Sequence, residues 1–319
     1  MGDKLPPSSD GAADSKGGGR GKLFSSDALG RLGKLNRARL KADLTTADQL
    51  ESPSGRKAKA VGRRPPAGGP APTDLASLCP GTVLDGPAGR CYLIEGPVSA
   101  LVPEAAGFEA EYRRTFCGGG INVATEDLHP SVRPLALSPV ERVAHLDIET
   151  CGLAGMPVFL LGLLVWQDGG LVLRQFMARD YSEEQGMLAA AWEALDRVGV
   201  LVTFNGMAFD VPFIESRTAA VGLGARGLGA RHVDLLHESR RRWKPVLPNC
   251  RLQTLERFVC GRLRTGDIPG DLIPSVYHEF VETADARQIE VVLRHNARDL
   301  VTLAELAVCV LQNRDADWL

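Results

Sequence analysis

The order of apolar and polar positions divides the chain into a polar N-terminal part and a body of buried strands and amphipathic helices. Apolar runs bounded by turn residues predict five strands, at 143–149, 158–166, 171–177, 200–204 and 232–235. Gln167-Asp-Gly-Gly170 predicts a hairpin turn between the second and third strands. Helical patterns follow each of the last three strands and end in a long helix over 286–312. This order predicts an α/β fold in which helices flank a mixed β-sheet.

The composition of the N-terminal part differs from that of the body. Residues 1–77 are rich in Gly, Ser, Pro, Lys and Arg and poor in aromatic residues, which predicts a disordered basic tail. Leucines near helical spacing within 25–44 allow two interpretations. They form either a marginal helix in a solvated tail or a basic helix that docks on a protein partner or nucleic acid. We expect residues 78–140 to form a short β-rich lead-in and residues 141–313 to form the main domain.

Charge and cysteine usage narrow the class of function. The net charge of the 319 residues is −2, but residues 1–75 carry 14 Lys and Arg against 8 Asp and Glu, and the rest carry 23 against 31. An acidic body is not expected to bind duplex DNA strongly, and it suits an enzyme whose acids hold cations. The seven scattered cysteines include no Cys-x-x-Cys pair, which argues against a zinc site. With no apolar signal segment and no membrane-spanning run, the sequence predicts a cytoplasmic protein.

Two carboxylates on the first predicted strand are the first candidates for chemistry. Asp147 and Glu149 are two residues apart, so the alternation of a strand places both side chains on one face. Neighbouring carboxylates repel each other unless a cation lies between them, and Mg²⁺ and Mn²⁺ prefer such oxygen ligands. The alternative is a solvated strand end ahead of a turn at Gly152.

The second candidate group follows the fourth predicted strand. Asn205-Gly-Met-Ala-Phe-Asp210 connects that strand to a helix, and ligands gather at the carboxyl ends of strands in open sheets. We expect Asp210 to face the two strand acids, while Asn205 caps the turn or orients a substrate and Phe209 anchors the loop. The alternative is ordinary Asn-Gly turn chemistry with a carboxylate at the start of a helix.

The last predicted helix carries the third group. His295 and Asp299 are four residues apart, so they share a helix face at the edge of an apolar stripe. A histidine at such a place is either a structural hydrogen-bonding group or, beside three other acids, part of a reactive centre. We favour the second interpretation because all four acids lie in or beside apolar runs, where an unpaired charge is costly.

A basic segment, Arg240-Arg-Arg-Trp-Lys244, is the candidate for substrate contact outside the acids. In one interpretation Arg241 binds the phosphates of a nucleic acid strand and Trp243 stacks on a base. In the alternative, the segment is a basic helix face with Trp243 buried in the core.

In combination, these patterns resemble the three exonuclease motifs of the DEDD superfamily. The motifs are Asp-x-Glu-Thr at 147–150, Asn-x-x-x-Phe-Asp at 205–210, and a helical His ahead of Asp299. More narrowly, residues 143–311 resemble the YprB-like group of ribonuclease H-like proteins. Further segments carry this resemblance: Asp234-Leu-Leu, Arg241-Arg-Trp243, Asn249-Cys-Arg-Leu-Gln-Thr-Leu-Glu256, Gly266-Asp-Ile-Pro-Gly270 and Ile273-Pro-x-x-Tyr277.

The resemblance implies a ribonuclease H-like fold and a 3′→5′ exonuclease that hydrolyses phosphodiester bonds of single-stranded DNA or RNA. It implies that two divalent ions, Mg²⁺ or Mn²⁺, are held by four acids: Asp147, Glu149, Asp210 and Asp299. His295 would act as general base or orient the attacking water. Its spacing departs from the histidine-type subclass, because it precedes Asp299 by four positions, as the base does in the tyrosine-type subclass. The alternative function is a catalytically inactive ribonuclease H-like protein that binds nucleic acid or serves as an adaptor.

Overall fold

The computed structural model describes residues 71–121, 124–153 and 155–314, and the predictions for residues 1–70 lie outside these ranges. The centre of the described part is a β-sheet with these strands: β1 Thr82–Gly86, β2 Gly89–Pro97, β3 Val143–Thr150, β4 Val158–Gln167, β5 Gly170–Met177, β6 Val200–Thr203 and β7 Arg231–Asp234. The strand order is β1-β2-β5-β4-β3-β6-β7. Strand β6 pairs in parallel with β3 and with β7, and the other neighbours are antiparallel. The predicted α/β fold with a mixed sheet is therefore confirmed.

The hairpin between β4 and β5 shows how local sequence sets the register. Asp168 and Gly169 both have positive φ angles, 51° and 83°, which a tight two-residue hairpin turn requires of its central residues. The turn pairs Gln167 with Gly170 and continues up to the pairing of Leu160 with Met177. The predicted hairpin thus lies where the turn residues indicated.

Helices cover both faces of this sheet. They are α1 Leu75–Leu78, α2 Val98–Leu101, α3 Phe108–Cys117, α4 Arg133–Leu137, α5 Glu184–Leu195, α6 Asp210–Ala220, α7 Leu235–Trp243, α8 Leu252–Phe258, α9 Ile273–Thr283 and α10 Ala286–Leu311. Helix α5 packs on one face, against β2, β4 and β5, and α10 packs on the other, against β3 and β4. The long helix α10 begins at a cap in which the Asp285 side chain accepts a hydrogen bond from the backbone N–H of Arg287. No helix within the described ranges is both long and apolar enough to cross a bilayer.

The two strands of the segment 78–140 belong to the same sheet. Strands β1 and β2 form an antiparallel pair, and β2 continues the sheet beside β5. The strands of the predicted β-rich lead-in therefore extend the sheet of the main domain. The predicted disordered tail also ends earlier than residue 77, because Leu75 in α1 is buried in the core and Asp74 caps that helix. An apolar side chain that finds a place in the core offsets the entropy of ordering its segment.

Candidate active site

Strand β3 directs two acids toward helix α10. Leu146 and Ile148 pack in the core on the α5 side, whereas Val143 belongs to the core on the α10 side. Because side chains alternate along a strand, Asp147 and Glu149 lie on the α10 side, where both are half-buried. The two-residue spacing therefore places them together, as predicted.

Asp210, the first residue of α6, reaches the same pocket from the loop that follows β6. Its carboxylate lies near its own backbone N–H and the backbone N–H of Ile148, the residue between the two β3 acids, and both groups act to lower its pKa. It is 6% exposed. Burial raises the pKa of Asp210 to about 7, and the nearby charge of Asp234 acts in the same direction.

A second acid, Asp234, holds the loop that presents Asp210. Asp234 lies at the end of β7, and its carboxylate accepts hydrogen bonds from the backbone N–H groups of Asn205 (2.8 Å), Met207 (3.1 Å) and Leu236 (3.0 Å). Asn205 has a positive φ of 68°, a conformation that asparagine tolerates better than most residues. The loop is thus fixed to the neighbouring strand, and Asp234 has a structural role beside the pocket.

Helix α10 supplies His295 and Asp299 from the opposite side of the pocket. The Nε2 atom of His295 lies 3.5 Å from Asp299 Oδ2 and 3.9 Å from Glu149 Oε1, while Nδ1 lies 2.8 Å from Asp267 Oδ1. Burial alone would lower the pKa of His295, but the hydrogen bond to Asp267 and the charges of Asp299 and Glu149 raise it to about 9. The imidazole is therefore oriented by Asp267, with its second nitrogen turned to the acids.

A second cation, Arg264, lies against the last acid. Its Nη2 atom is 2.6 Å from Asp299 Oδ1, its Nη1 atom is 3.2 Å from Asp267 Oδ2, and its Nε atom is 2.8 Å from Glu256 Oε2. The Nη2 and Oδ1 atoms are buried but not aligned as a hydrogen bond, so their contact is an ion pair. Arg264 is the counter-ion of Asp299 in this structure.

Excess negative charge dominates the electrostatics of the pocket. Burial raises the pKa of Asp147 well above its usual range, and the charges of Glu149, Asp299 and Asp210 raise it further. Burial also raises the pKa of Glu149 to about 8, although the nearby His295 opposes this. Carboxylates that raise one another's pKa are close enough to interact, and a positive charge between them would reverse the effect.

The chemistry of these donors fits a divalent metal ion. Mg²⁺ and Mn²⁺ take carboxylate oxygens, and Asp299 Oδ1 is a buried acceptor without an aligned donor. Within the described part of the chain, no three His, Cys, Asp or Glu side chains already form a group that could hold a metal ion. Arg264 forms an ion pair with Asp299, and Asn296 donates a hydrogen bond to Asp147 Oδ2 at 2.8 Å. Binding of a cation would therefore require local rearrangement of these side chains.

The four residues predicted to contact substrate do not all lie at the pocket. Asn205 and Phe209 lie at the pocket, on the loop that leads to Asp210, and Phe209 is 39% exposed. Arg241 lies on α7, where it pairs with Glu238. Trp243 is 2% exposed and belongs to the hydrophobic core, so the prediction that it stacks on a substrate base is wrong. A ring enclosed by the core has no face available to a base.

Three residues of the site were given no role in the pocket by the sequence. Asp267 and Arg264 lie in the loop between α8 and α9, which has no periodic pattern that would indicate where its side chains point. Asn296 follows His295 on α10 and is fully buried. A polar amide at an inward position of an apolar helix was the available signal for Asn296, since buried amides are retained only where they find partners.

Comparisons with known proteins match the region that contains this pocket. A family model described as the RNase_H superfamily matches residues 144–311, more than half of the chain. The Uncharacterized protein YprB of Bacillus subtilis (strain 168) is 32% identical over 166 residues, which are 51% of this chain and 40% of that protein. The chain therefore aligns with less than half of the length of that relative.

Among solved structures, the family B DNA polymerase from the hyperthermophilic archaeon Pyrobaculum calidifontis is similar to part of this chain. The similarity has a TM-score of 0.42 and 19% sequence identity, and it covers 52% of this chain and 24% of the polymerase. A similarity of this size does not bear on function. The family match and the sequence identity instead decide the assignment: this chain belongs to the RNase_H superfamily and is YprB-like.

Proposed function

We propose that this protein is a divalent-metal-dependent nuclease that hydrolyses single-stranded nucleic acid from its 3′ end. The observation that carries the proposal is the convergence of Asp147, Glu149, Asp210 and Asp299 with His295 in one pocket. Membership of the RNase_H superfamily supports nucleic acid hydrolysis and the use of divalent metal ions. The direction of cleavage and the number of ions are parts of the proposal.

The four carboxylates are the groups that would hold two Mg²⁺ or Mn²⁺ ions. Such ions supply an activated water and stabilise the charge on the leaving oxygen. Burial is the main cause of the raised pKa values of Asp147 and Glu149, but repulsion from the neighbouring acids adds to it. A cation between the carboxylates would relieve that repulsion, which supports this role.

His295 is the group that would take a proton from the attacking water. Asp267 holds Nδ1, so Nε2 faces the acids, where a water bound between them would lie. The hydrogen bond to Asp267 and the negative charges of Asp299 and Glu149 raise the pKa of His295 to about 9. Cations that offset those charges would bring the pKa toward neutrality, where a histidine works best as a base.

Exposed apolar side chains support a preference for single strands. Leu153 is 84% exposed and Met156 lies beyond it in the loop after β3, while Met207 and Phe209 are exposed in the loop after β6. Strands β3 and β6 are parallel, so these two loops leave the sheet at the same edge. Unpaired bases bind to apolar and aromatic side chains, whereas the bases of a duplex are stacked on each other.

A direct assay tests the proposal. The full-length protein is incubated with end-labelled single-stranded DNA and RNA in Mg²⁺, Mn²⁺ or chelator, and the product ladder is followed with time. We expect stepwise shortening from the 3′ end that requires the metal and is abolished by Asp147→Ala and by Asp210→Ala. Asp85→Ala, which removes an exposed acid from β1, is the matched control and should retain activity. Full activity of either pocket variant would refute the proposal.

One observation favours a second function. Arg264 pairs with Asp299, and His295 carries a raised pKa, so two resident cations already offset part of the acidic charge. A pocket neutralised in this way also suits a protein that binds nucleic acid without cutting it. Stable binding of a labelled strand in Mn²⁺, with no product over hours, would favour this alternative.

A further inference from the structure

A row of three residues crosses the sheet beside the acidic pocket. Gly162 on β4 pairs with Asp147 on β3 and, on its other side, with Gln175 on β5. Asn296 on α10 lies over this row and is fully buried, and Gln175 is buried as well. A glycine at the middle of the row leaves space for a side chain that comes from the helix above.

Hydrogen bonds connect the two amides to Asp147. Gln175 Nε2 donates to the backbone carbonyl of Leu293 at 2.7 Å and to Asn296 Oδ1 at 2.9 Å. Asn296 Nδ2 in turn donates to Asp147 Oδ2 at 2.8 Å and to the backbone carbonyl of Asp147 at 3.2 Å. A backbone carbonyl can only accept, so Leu293 fixes the orientation of the Gln175 amide. That amide then fixes the orientation of Asn296, whose donor group must face Asp147.

A glycine is required at position 162 because the side chain of Asn296 takes the space that a Cβ atom would fill. A Cβ atom at this position would lie 2.3 Å from Asn296 Oδ1 and 2.7 Å from Leu300 Cδ1. Gly162 is not among the glycines of positive φ, so its backbone conformation is open to any residue. Any larger side chain on β4 would push Asn296 away from Asp147.

We propose that Asn296, oriented by Gln175 and admitted by Gly162, is a positioning residue for Asp147. It holds Oδ2 of the carboxylate and leaves Oδ1 as the oxygen for a cation. This assignment rests on the proposed function. Partners behind a metal ligand fix its rotamer, and their loss typically weakens metal affinity by about 10- to 100-fold. A merely structural amide pair would affect the stability of the fold without changing the affinity for a cation.

Two substitutions separate these roles. Asn296→Leu keeps the approximate shape of the side chain and removes the donor, and Gly162→Ala displaces Asn296 without touching Asp147 itself. Gly170→Ala is the matched control, because it lies on the same sheet and its added Cβ would meet Glu109 only at 3.5 Å, an ordinary contact. The dissociation constant for Mn²⁺ is measured by calorimetry on the full-length protein, and the unfolding temperature is measured in chelator.

We expect Asn296→Leu and Gly162→Ala each to raise the Mn²⁺ dissociation constant by roughly tenfold or more, with Gly170→Ala close to wild type. Excess Mn²⁺ should restore part of the nuclease activity in both variants. If both variants fold and bind Mn²⁺ as tightly as wild type, the assignment is overturned while the proposed nuclease stands. If the wild-type protein binds no Mn²⁺ at millimolar concentration, the proposed function fails and this assignment fails with it.

Discussion

Asp210→Asn tests whether the charge of the pocket opposes folding. Asp210 is nearly enclosed, and its carboxylate lies near two backbone N–H groups, its own and that of Ile148. An amide oxygen can face the same N–H groups, so the substitution removes the charge and preserves the shape. We expect the metal-free variant to be more stable than wild type at alkaline pH and to have lost nuclease activity.

The pKa shift of Asp210 sets the size of the gain in stability that we expect for Asp210→Asn. The pKa rises from an ordinary value of 3.8 to about 7 in the folded protein, chiefly because the group is buried. One pKa unit corresponds to about 1.4 kcal/mol, so ionised Asp210 costs on the order of 4 kcal/mol of stability at about pH 8. Since the folded-state pKa is raised, this cost is complete above about pH 7, shrinks as the pH falls and disappears below about pH 4. The gain from Asp210→Asn should follow the same course.

Urea unfolding in chelator at several pH values measures this gain. Asp85→Asn, which neutralises an exposed acid on β1, is the control for a change of net charge. The reasoning is refuted if Asp210→Asn is less stable than wild type at about pH 8, or if its gain does not change down to about pH 4. Adding Mg²⁺ should reduce the difference in the free energy of unfolding between Asp210→Asn and wild type, because a cation that binds the folded wild type stabilises it by mass action.

Three further substitutions test the neighbouring residues. His295→Ala should slow turnover by ~10²–10⁴-fold, the usual contribution of a general acid–base group, and a loss below about threefold in a steady-state assay would exclude that role. Asp267→Asn should lower the pKa of His295, because the negative charge of Asp267 raises that pKa and the substitution removes the charge. An NMR titration of His295 with an unchanged midpoint would contradict this. Trp243→Ala should lower the free energy of unfolding by about 3–5 kcal/mol, as for other buried aromatic residues, and leave the KM for single strands unchanged. A raised KM in the folded variant would restore Trp243 as a substrate contact.

Local patterns predicted the sheet and the strand acids correctly. The apolar runs of β3, β4 and β5 and the Asp-Gly turn at 168–169 carry their own structural signal within a few residues. The two-residue spacing of Asp147 and Glu149 was enough to place both on one face. Asp210 and Asp299 were predicted from their contexts after a strand and on an amphipathic helix, and the fold brings them to the same pocket.

Residues whose roles depend on distant partners could not be found in this way. Gly162, Gln175 and Asn296 come from two strands and a helix, and only the pairing of β3, β4 and β5 aligns them. For Trp243 the sequence left two interpretations open, a substrate contact suggested by the neighbouring arginines and a buried core side chain, and the structure shows the second. Leu235, Ser239 and Trp243 are spaced by four and all buried, so helical periodicity would have predicted the core.

The ion pair between Arg264 and Asp299 has a consequence for handling this protein. Because Arg264 neutralises Asp299 from within the chain, the pocket is not left with four uncompensated charges when divalent ions are stripped away. Chelation should therefore switch activity off reversibly and leave a folded, recoverable protein. Binding of a divalent ion would then replace Arg264 as the counter-ion of Asp299. The rate of metal binding should depend on how readily the loop that carries Arg264 moves away from helix α10.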